Sequence, residues 1–341
     1  MKKKSFLITG GSGFIGSALV RDLAPKGFRI KVLDNGLRAR PDRLEGIKGQ
    51  IELIQADIRD PKAVREACKG IDCVYHLAYL NGTQFFYSRP DLVLDIGVKG
   101  MVNVIDSCVA QGVGELMLLS SSEVYQTPPS VPTGEDVPLI VPDPFNARFS
   151  YGGGKIISEL MAINYGRKYF RKSIVVRPHN IYGPDMGWEH VIPQFVVRMK
   201  ELCRKEKGET IRFPIQGSGE QTRSFCYIDD FVDAFGLLAE KGEHLSVYNI
   251  GTSEEIRIKE VALAAGAYFG KEAAVVPGEE KEGSTPRRCP DISKIKKLGY
   301  SPKVAFNEGF RRTAEWYENN MDKRPADDGR REEFEAIRTT C

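Results

Sequence analysis

The chain has 341 residues, enough for a large core and one or two domains. Its 49 basic and 46 acidic residues leave a net charge of +3, too balanced for a nucleic-acid-binding surface. No apolar run reaches the roughly 20 residues a membrane helix needs, and the apolar stretch after the basic N-terminus is cut by Gly10, Gly11, Gly13 and Gly16, so neither a membrane span nor a secretory signal is expected.

Apolar strands alternate with helical patterns, which predicts an α/β fold with a doubly wound, mainly parallel sheet covered on both faces. Phe6 to Thr9 reads as the first strand, 14–24 as a helix and 29–33 as the second strand. Residues 51–55 form a third strand, with a helix near 61–69, and 73–77 a fourth. Helical spacing covers about 92–111, followed by a strand at 115–120. The proline-rich stretch from Thr127 to Pro144 reads as a long loop, of the kind that is often functional. A helix over about 151–170 and a strand at 173–177 come next.

After Pro184 the alternation is less regular, and 184–226 with 252–322 read as a smaller, mixed substrate lobe. Between them, 227–251 returns to the sheet as a helix from Asp229 and a strand at 247–250, so the dinucleotide domain comprises 1–183 plus 227–251. Residues 323–341 form a charged tail. The seven cysteines are scattered without a CxxC pair, which signals neither a disulfide framework nor a metal site; reduced thiols in a cytoplasm are expected.

Gly10-Gly11-Ser12-Gly13-Phe14-Ile15-Gly16 stands directly between the first strand and the first helix. Glycines there let the backbone approach a pyrophosphate, and the helix N-terminus offers N–H groups and the positive end of its dipole. The second strand ends in Asp34, whose carboxylate suits the ribose hydroxyls and repels a 2′-phosphate, favouring NAD over NADP. The pattern is that of a Rossmann-type dinucleotide site.

Tyr151 and Lys155 stand four residues apart on one helix face. A free phenol has a pKa of about 10, and a neighbouring ammonium favours its ionised form. Tyr151 is thus a candidate general base toward a sugar hydroxyl. Ser120-Ser121-Ser122 ends a strand at the C-terminal edge of the sheet, where open α/β folds bind ligands.

Taken together, TGGSGFIG (9–16), ADIRD (56–60), HLA (76–78), SSSEVY (120–125), YGGGK (151–155), RPHNIYGP (177–184), GSGEQTRSFCYIDD (217–230) and PRRCPDISK (286–294) resemble the extended short-chain dehydrogenases/reductases, the nucleotide-sugar epimerase/dehydratase group. The resemblance covers about residues 5–318. It implies that Ser121 hydrogen-bonds the reacting hydroxyl, that Tyr151 is the base, and that Lys155 binds the nicotinamide ribose and lowers the Tyr151 pKa. It places Gly10, Gly13, Phe14, Ile15, Gly16, Asp34, Asn35, Asp57, Ile58, Leu77 and Ala78 around NAD. Asn180, Arg223 and Arg288 match substrate contacts, the two arginines at the diphosphate. It also implies a homodimer joined through the helices at 92–111 and 151–170.

The chain departs from the family pattern at three positions. Gly97 stands where the family usually carries an Asn that orders the site, Gly154 where it carries Ser, and Gln126 where it carries Gly. The aromatic stretch Tyr79 to Pro90 is also unusual; pocket lining and core packing both fit it. Glu123 matches the Glu of dehydratases and decarboxylases and is a candidate catalytic base at C5 of a 4-keto sugar; the alternative is that it points away and only satisfies loop N–H groups. Ser122 stands where the Asp-Glu dehydratases have their acid. The implied activity is an NAD-dependent nucleotide-sugar epimerase or 4,6-dehydratase working through a 4-keto sugar, with a UDP- or dTDP-sugar favoured. A UDP-glucuronate decarboxylase is the close alternative, and a non-catalytic NAD-binding scaffold or sensor the alternative of another class.

Overall fold

The computed structural model of the chain describes residues 3–38, 40–279 and 285–325. These form two compact units. The first holds the described residues of Met1–Ile181, Gln221–Ile256 and Glu282–Val304, the second those of Tyr182–Glu220, Arg257–Lys281 and Ala305–Cys341. Segments 221–226, 252–256 and 285–304, expected in the smaller lobe, therefore pack with the sheet. From residue 326 on, the expected charged tail lies outside the described residues.

In the first unit, β1 (Ser5–Thr9), β2 (Arg29–Asp34), β3 (Ile51–Gln55), β4 (Cys73–His76), β5 (Glu115–Leu119), β6 (Lys172–Pro178) and β7 (Ser246–Ile250) form one sheet. Its order is β7-β6-β5-β4-β1-β2-β3, and every neighbouring pair is parallel. Each residue of β1 and β5 is buried, as expected for parallel strands covered on both faces. The chain order reverses between β1 and β4, which opens the crevice where such sheets take ligands.

The helices follow local signals. Helix α1 (Phe14–Leu23) buries Leu19, Val20 and Leu23. Helix α2 (Pro61–Ala67) starts where the Asp60 carboxylate accepts the Lys62 and Ala63 N–H groups, with proline at the first helical position. The helix expected over 92–111 runs unbroken from Pro90 to Gln111, with a π turn at Asp95–Lys99 between Pro90–Leu94 and α3 (Gly100–Gln111). Gly112 ends α3 in the left-handed conformation. Helix α4 (Ser150–Tyr169) carries Tyr151 and Lys155, and α5 (Ile228–Lys241) precedes β7.

The long loop at 127–144 is pinned rather than loose. The Thr133 N–H donates to the Cys289 carbonyl at 2.9 Å, the Asp291 N–H donates to the Thr133 carbonyl at 2.8 Å, and the Glu135 carboxylate accepts the Asn249 N–H at 2.9 Å.

In the second unit a helix at Val191–Lys205 buries Ile192, Phe195, Val196 and Met199. The strand Thr210–Pro214 pairs in parallel with Glu272–Val276. Phe195 meets Phe213 edge-on at 5.1 Å, and the Arg198 guanidinium lies 4.1 Å above the Phe213 ring.

Candidate active site

The glycine turn is built for close backbone approach. Gly10 has φ +72°, and a Cβ there would lie 2.8 Å from the Ala78 nitrogen, against the Leu77–Ala78 peptide at the end of β4. A Cβ on Gly16 would overlap the Gly10 carbonyl and come within 2.7 Å of the Gly11 Cα. Gly13 caps α1 without a side-chain hydrogen bond, and no acidic residue lies in the first turn around Phe14 and Ile15. The positive end of the helix is thus available to an anion. At the end of β2 the Asp34 carboxylate accepts the Ser12 and Gly36 N–H groups, both at 3.0 Å. Burial raises its pKa, and the same two backbone donors and Arg43 pull it back. Thr9 Oγ1 accepts the Leu77 and Ala78 N–H groups and bonds His76 Nδ1 at 2.7 Å, which ties β1 to β4.

The other residues expected near the dinucleotide are mutually tied. The Asn35 amide donates to Asp57 at 2.9 Å, and Arg59 bridges Asp57 and Asp95. Burial opposes ionisation of Asp57, but the Arg59 and Asn35 hydrogen bonds leave it below its ordinary range. The Ile58 side chain fills the space beside Gly100, and its carbonyl accepts from Asn103.

Ser121 and Tyr151 meet. Ser121 precedes the tight turn Ser122–Tyr125, and its hydroxyl oxygen accepts the Glu123 N–H at 3.1 Å, which leaves its one proton free to donate elsewhere. Phe86 stacks on Tyr151 at 4.7 Å, and Tyr79 meets it edge-on at 5.1 Å. Burial pushes the phenol well up, with the Ser121 hydrogen bond opposing it, the Glu123 charge adding to it and Arg38 opposing it.

The Lys155 ammonium lies 4.0 Å above the Tyr79 ring and 5.9 Å from the Tyr151 centroid, and donates to the Leu119 carbonyl at 2.6 Å. Burial lowers Lys155 to about 7, with Glu159 opposing the shift. The Tyr79 ring face thus lies against the ammonium.

Glu123 does not serve loop N–H groups. Its carboxylate accepts from Arg288 at 2.5 Å and pairs with Arg148 at 3.6 Å. Burial raises its pKa, but the charges of Arg288, Arg148 and Arg223 outweigh it and hold Glu123 below the ordinary carboxylate range. Burial, then the nearby Arg288, brings Arg223 down to about 10, with Glu123 opposing. Three guanidinium groups thus face one carboxylate. Arg148 was missed from sequence; the available signal was its place in the turn Ala147–Phe149 that leads into Tyr151. The Asn180 amide donates to the Ser224 carbonyl at 3.1 Å, so it ties two loops of the site.

A buried network beneath Ser121 was also missed. Arg177 pairs bidentately with Glu159 at 2.7 and 3.0 Å, and Ser120 donates to Glu159 at 2.5 Å. Arg177 also donates to Tyr125, which donates to Asn249. Gln126, another departure from the family pattern, adopts φ +47° and seats its amide where a Cβ on Gly152 would stand.

The model of a family described as "NAD dependent epimerase/dehydratase family" matches residues 6–251. The chain belongs to this family. It is 32% identical over 311 residues to UDP-glucuronic acid decarboxylase 6 of Arabidopsis thaliana, covering 89% of this chain and 86% of that protein. It superposes with a TM-score of 0.82 on the dTDP-glucose 4,6-dehydratase of Streptomyces venezuelae crystallised with NAD and TYD, at 27% identity over 93% of this chain and 98% of that one. With the UDP-glucose 4-epimerase of Thermotoga maritima bound to UDP-glucose the TM-score is 0.81, at 26% identity, covering 93% and 99%.

The residues present fit the cofactor of an NAD-dependent family. The glycine cradle and open helix end suit its pyrophosphate, and Asp34, at the strand end, suits a ribose diol. Bound NAD supplies the hydride acceptor. Phe86 and Tyr79 pack on the Tyr151 ring, and the Lys155 ammonium lies 5.9 Å from that ring's centroid.

Proposed function

We propose that this enzyme oxidises C4 of a UDP- or dTDP-linked sugar and continues from the 4-keto sugar as an epimerase or 4,6-dehydratase. The observation that carries this reading is that Ser121, at the start of the turn after β5, and Tyr151, buried against Phe86 and Tyr79, lie in the unit that holds the glycine turn. Arg223 and Arg288 supply charge for the diphosphate, with Arg148 beside them. The deciding experiment incubates the enzyme and NAD with a panel of UDP-, dTDP-, CDP- and GDP-sugars in deuterated water, followed by mass spectrometry. A new sugar nucleotide is expected; label at C5 supports base chemistry by Glu123, and a 4-epimer without exchange rejects it. Recovery of every donor unchanged overturns the reading.

One observation favours decarboxylation of a uronate donor as a second reading. Glu123 is held ionised by Arg288 and Arg148, which makes it a weak base, and the surplus guanidinium charge suits a second anionic group on the sugar. A 4-keto uronate loses CO2 without a protein base, so release of CO2 from UDP-glucuronate identifies this course.

The homodimer remains a proposal. Its support is the apolar surface of α4, where Ile157, Leu160, Tyr165 and Tyr169 are exposed, together with Leu94 and Val102. We also place the enzyme in the cytoplasm, in keeping with the unpaired buried thiols Cys68, Cys73, Cys108, Cys226 and Cys289. Among the described residues no helix is long and apolar enough to cross a membrane.

A further inference from the structure

Tyr79 is an aromatic residue beside the site whose hydroxyl is buried with no hydrogen-bond partner. That hydroxyl enters a socket made by two glycines from separate elements. A Cβ on Gly97, in the π turn, would overlap Tyr79 Cζ and Oη, and a Cβ on Gly154, in α4, would overlap the same oxygen. Two of the three departures from the family pattern thus share one physical cause, since a side chain at either glycine would expel the Tyr79 ring. The seated ring turns its face to Lys155 at 4.0 Å and its edge to Tyr151 at 5.1 Å.

We propose that Tyr79, locked in the Gly97–Gly154 socket, is the positioning residue for Lys155, holding its ammonium by the ring face beside Tyr151. The proposal rests on the reading of Tyr151 and Lys155 as the working pair. An ammonium has three donors, and the Leu119 carbonyl takes one. The groups facing it are Glu159 on its own helix, His76 on β4, Tyr151 and Tyr79. Burial keeps His76 neutral, pushing it down to about 3, which leaves Glu159 and the ring to favour the charged form. An aromatic face stabilises a desolvated cation, so losing the ring lowers the pH at which Lys155 gives up its proton.

The test follows the Lys155 ε-carbon by NMR against pH in lysine-labelled full-length protein, assigned with Lys155→Arg. The wild-type midpoint is expected near 7. In Tyr79→Leu it is expected to fall by about one pH unit. Tyr79→Phe, which keeps the ring, is expected to retain the wild-type midpoint. The socket is read separately by thermal unfolding. Gly97→Ala is expected to lower Tm by about 5 °C in the wild-type background and much less in Tyr79→Leu. An unchanged Lys155 midpoint in Tyr79→Leu overturns the positioning role, and equal Gly97→Ala losses in the two backgrounds overturn the socket. Neither readout needs a substrate, so a wild-type enzyme that converts no sugar nucleotide while the midpoint still moves refutes the proposed reaction and not the role of Tyr79.

Discussion

Glu159→Ala tests whether the strand end that carries Ser121 is held by a buried charge pair. The Glu159 and Arg177 side chains are 3% and 4% exposed, and two hydrogen bonds of 2.7 and 3.0 Å join them. Truncation leaves the Arg177 guanidinium with only the Tyr125 hydroxyl and the Glu135 carbonyl, and deprives Ser120 of its acceptor. Losing one partner of such a pair costs about 3–5 kcal/mol, because the remaining charge stays buried. At roughly 2–4 °C per kcal/mol for a domain of this size, Tm should fall by about 10 °C. Urea unfolding gives the free energy directly, and Glu159→Leu combined with Arg177→Met supplies the control. Removing both charges should cost clearly less than removing one. A loss below about 1 kcal/mol in Glu159→Ala would mean that water reaches Arg177, and the reasoning fails.

Tyr151→Phe keeps the stacking on Phe86 and loses one hydrogen bond, so stability should change by about 1 kcal/mol while turnover falls about 10²–10⁴-fold; near-normal turnover removes Tyr151 from the mechanism. Asp34→Ala strands the Ser12 and Gly36 N–H groups and should weaken NAD binding and reduce its preference over NADP, as measured by titration calorimetry; an unchanged preference shows that Asp34 does not read the ribose. Because the folded-state pKa of Glu123 is depressed, its stabilisation is full above the ordinary carboxylate value near 4.3 and is lost as pH falls through the lower folded value. Glu123→Gln should therefore flatten the acid limb of a urea-stability profile below about pH 4.5, and an identical profile in both proteins contradicts the pairing with Arg288.

The three departures from the family pattern were visible as separate oddities in the amino-acid order. Gly97 put the role of an ordering Asn in doubt, Gly154 stood for a Ser, and the aromatic run from Tyr79 had two readings. The structure gives both to one run: Tyr79 and Phe86 pack against Tyr151, while Tyr87 is exposed. The readable signal was that two side chains vanish together, leaving room for a third to enter from elsewhere. Arg148 carried no motif beyond its place in the turn before Tyr151, and its meaning came from the carboxylate it faces.

Strand and helix positions could be read along the chain because burial on a sheet repeats within a few residues and because glycine and proline restrict their own backbone. The glycine turn, Asp34 and the Tyr151–Lys155 spacing are local in the same sense. Glu123 and Arg288 are 165 residues apart, and no local period links them. Their ion pair, the Arg177–Glu159 anchor and the seating of the Lys155 ammonium on the Tyr79 ring exist only once the sheet and its helices have closed. Side-chain chemistry at such points is set by what stands within a few ångströms, and the packing of the whole unit determines those neighbours.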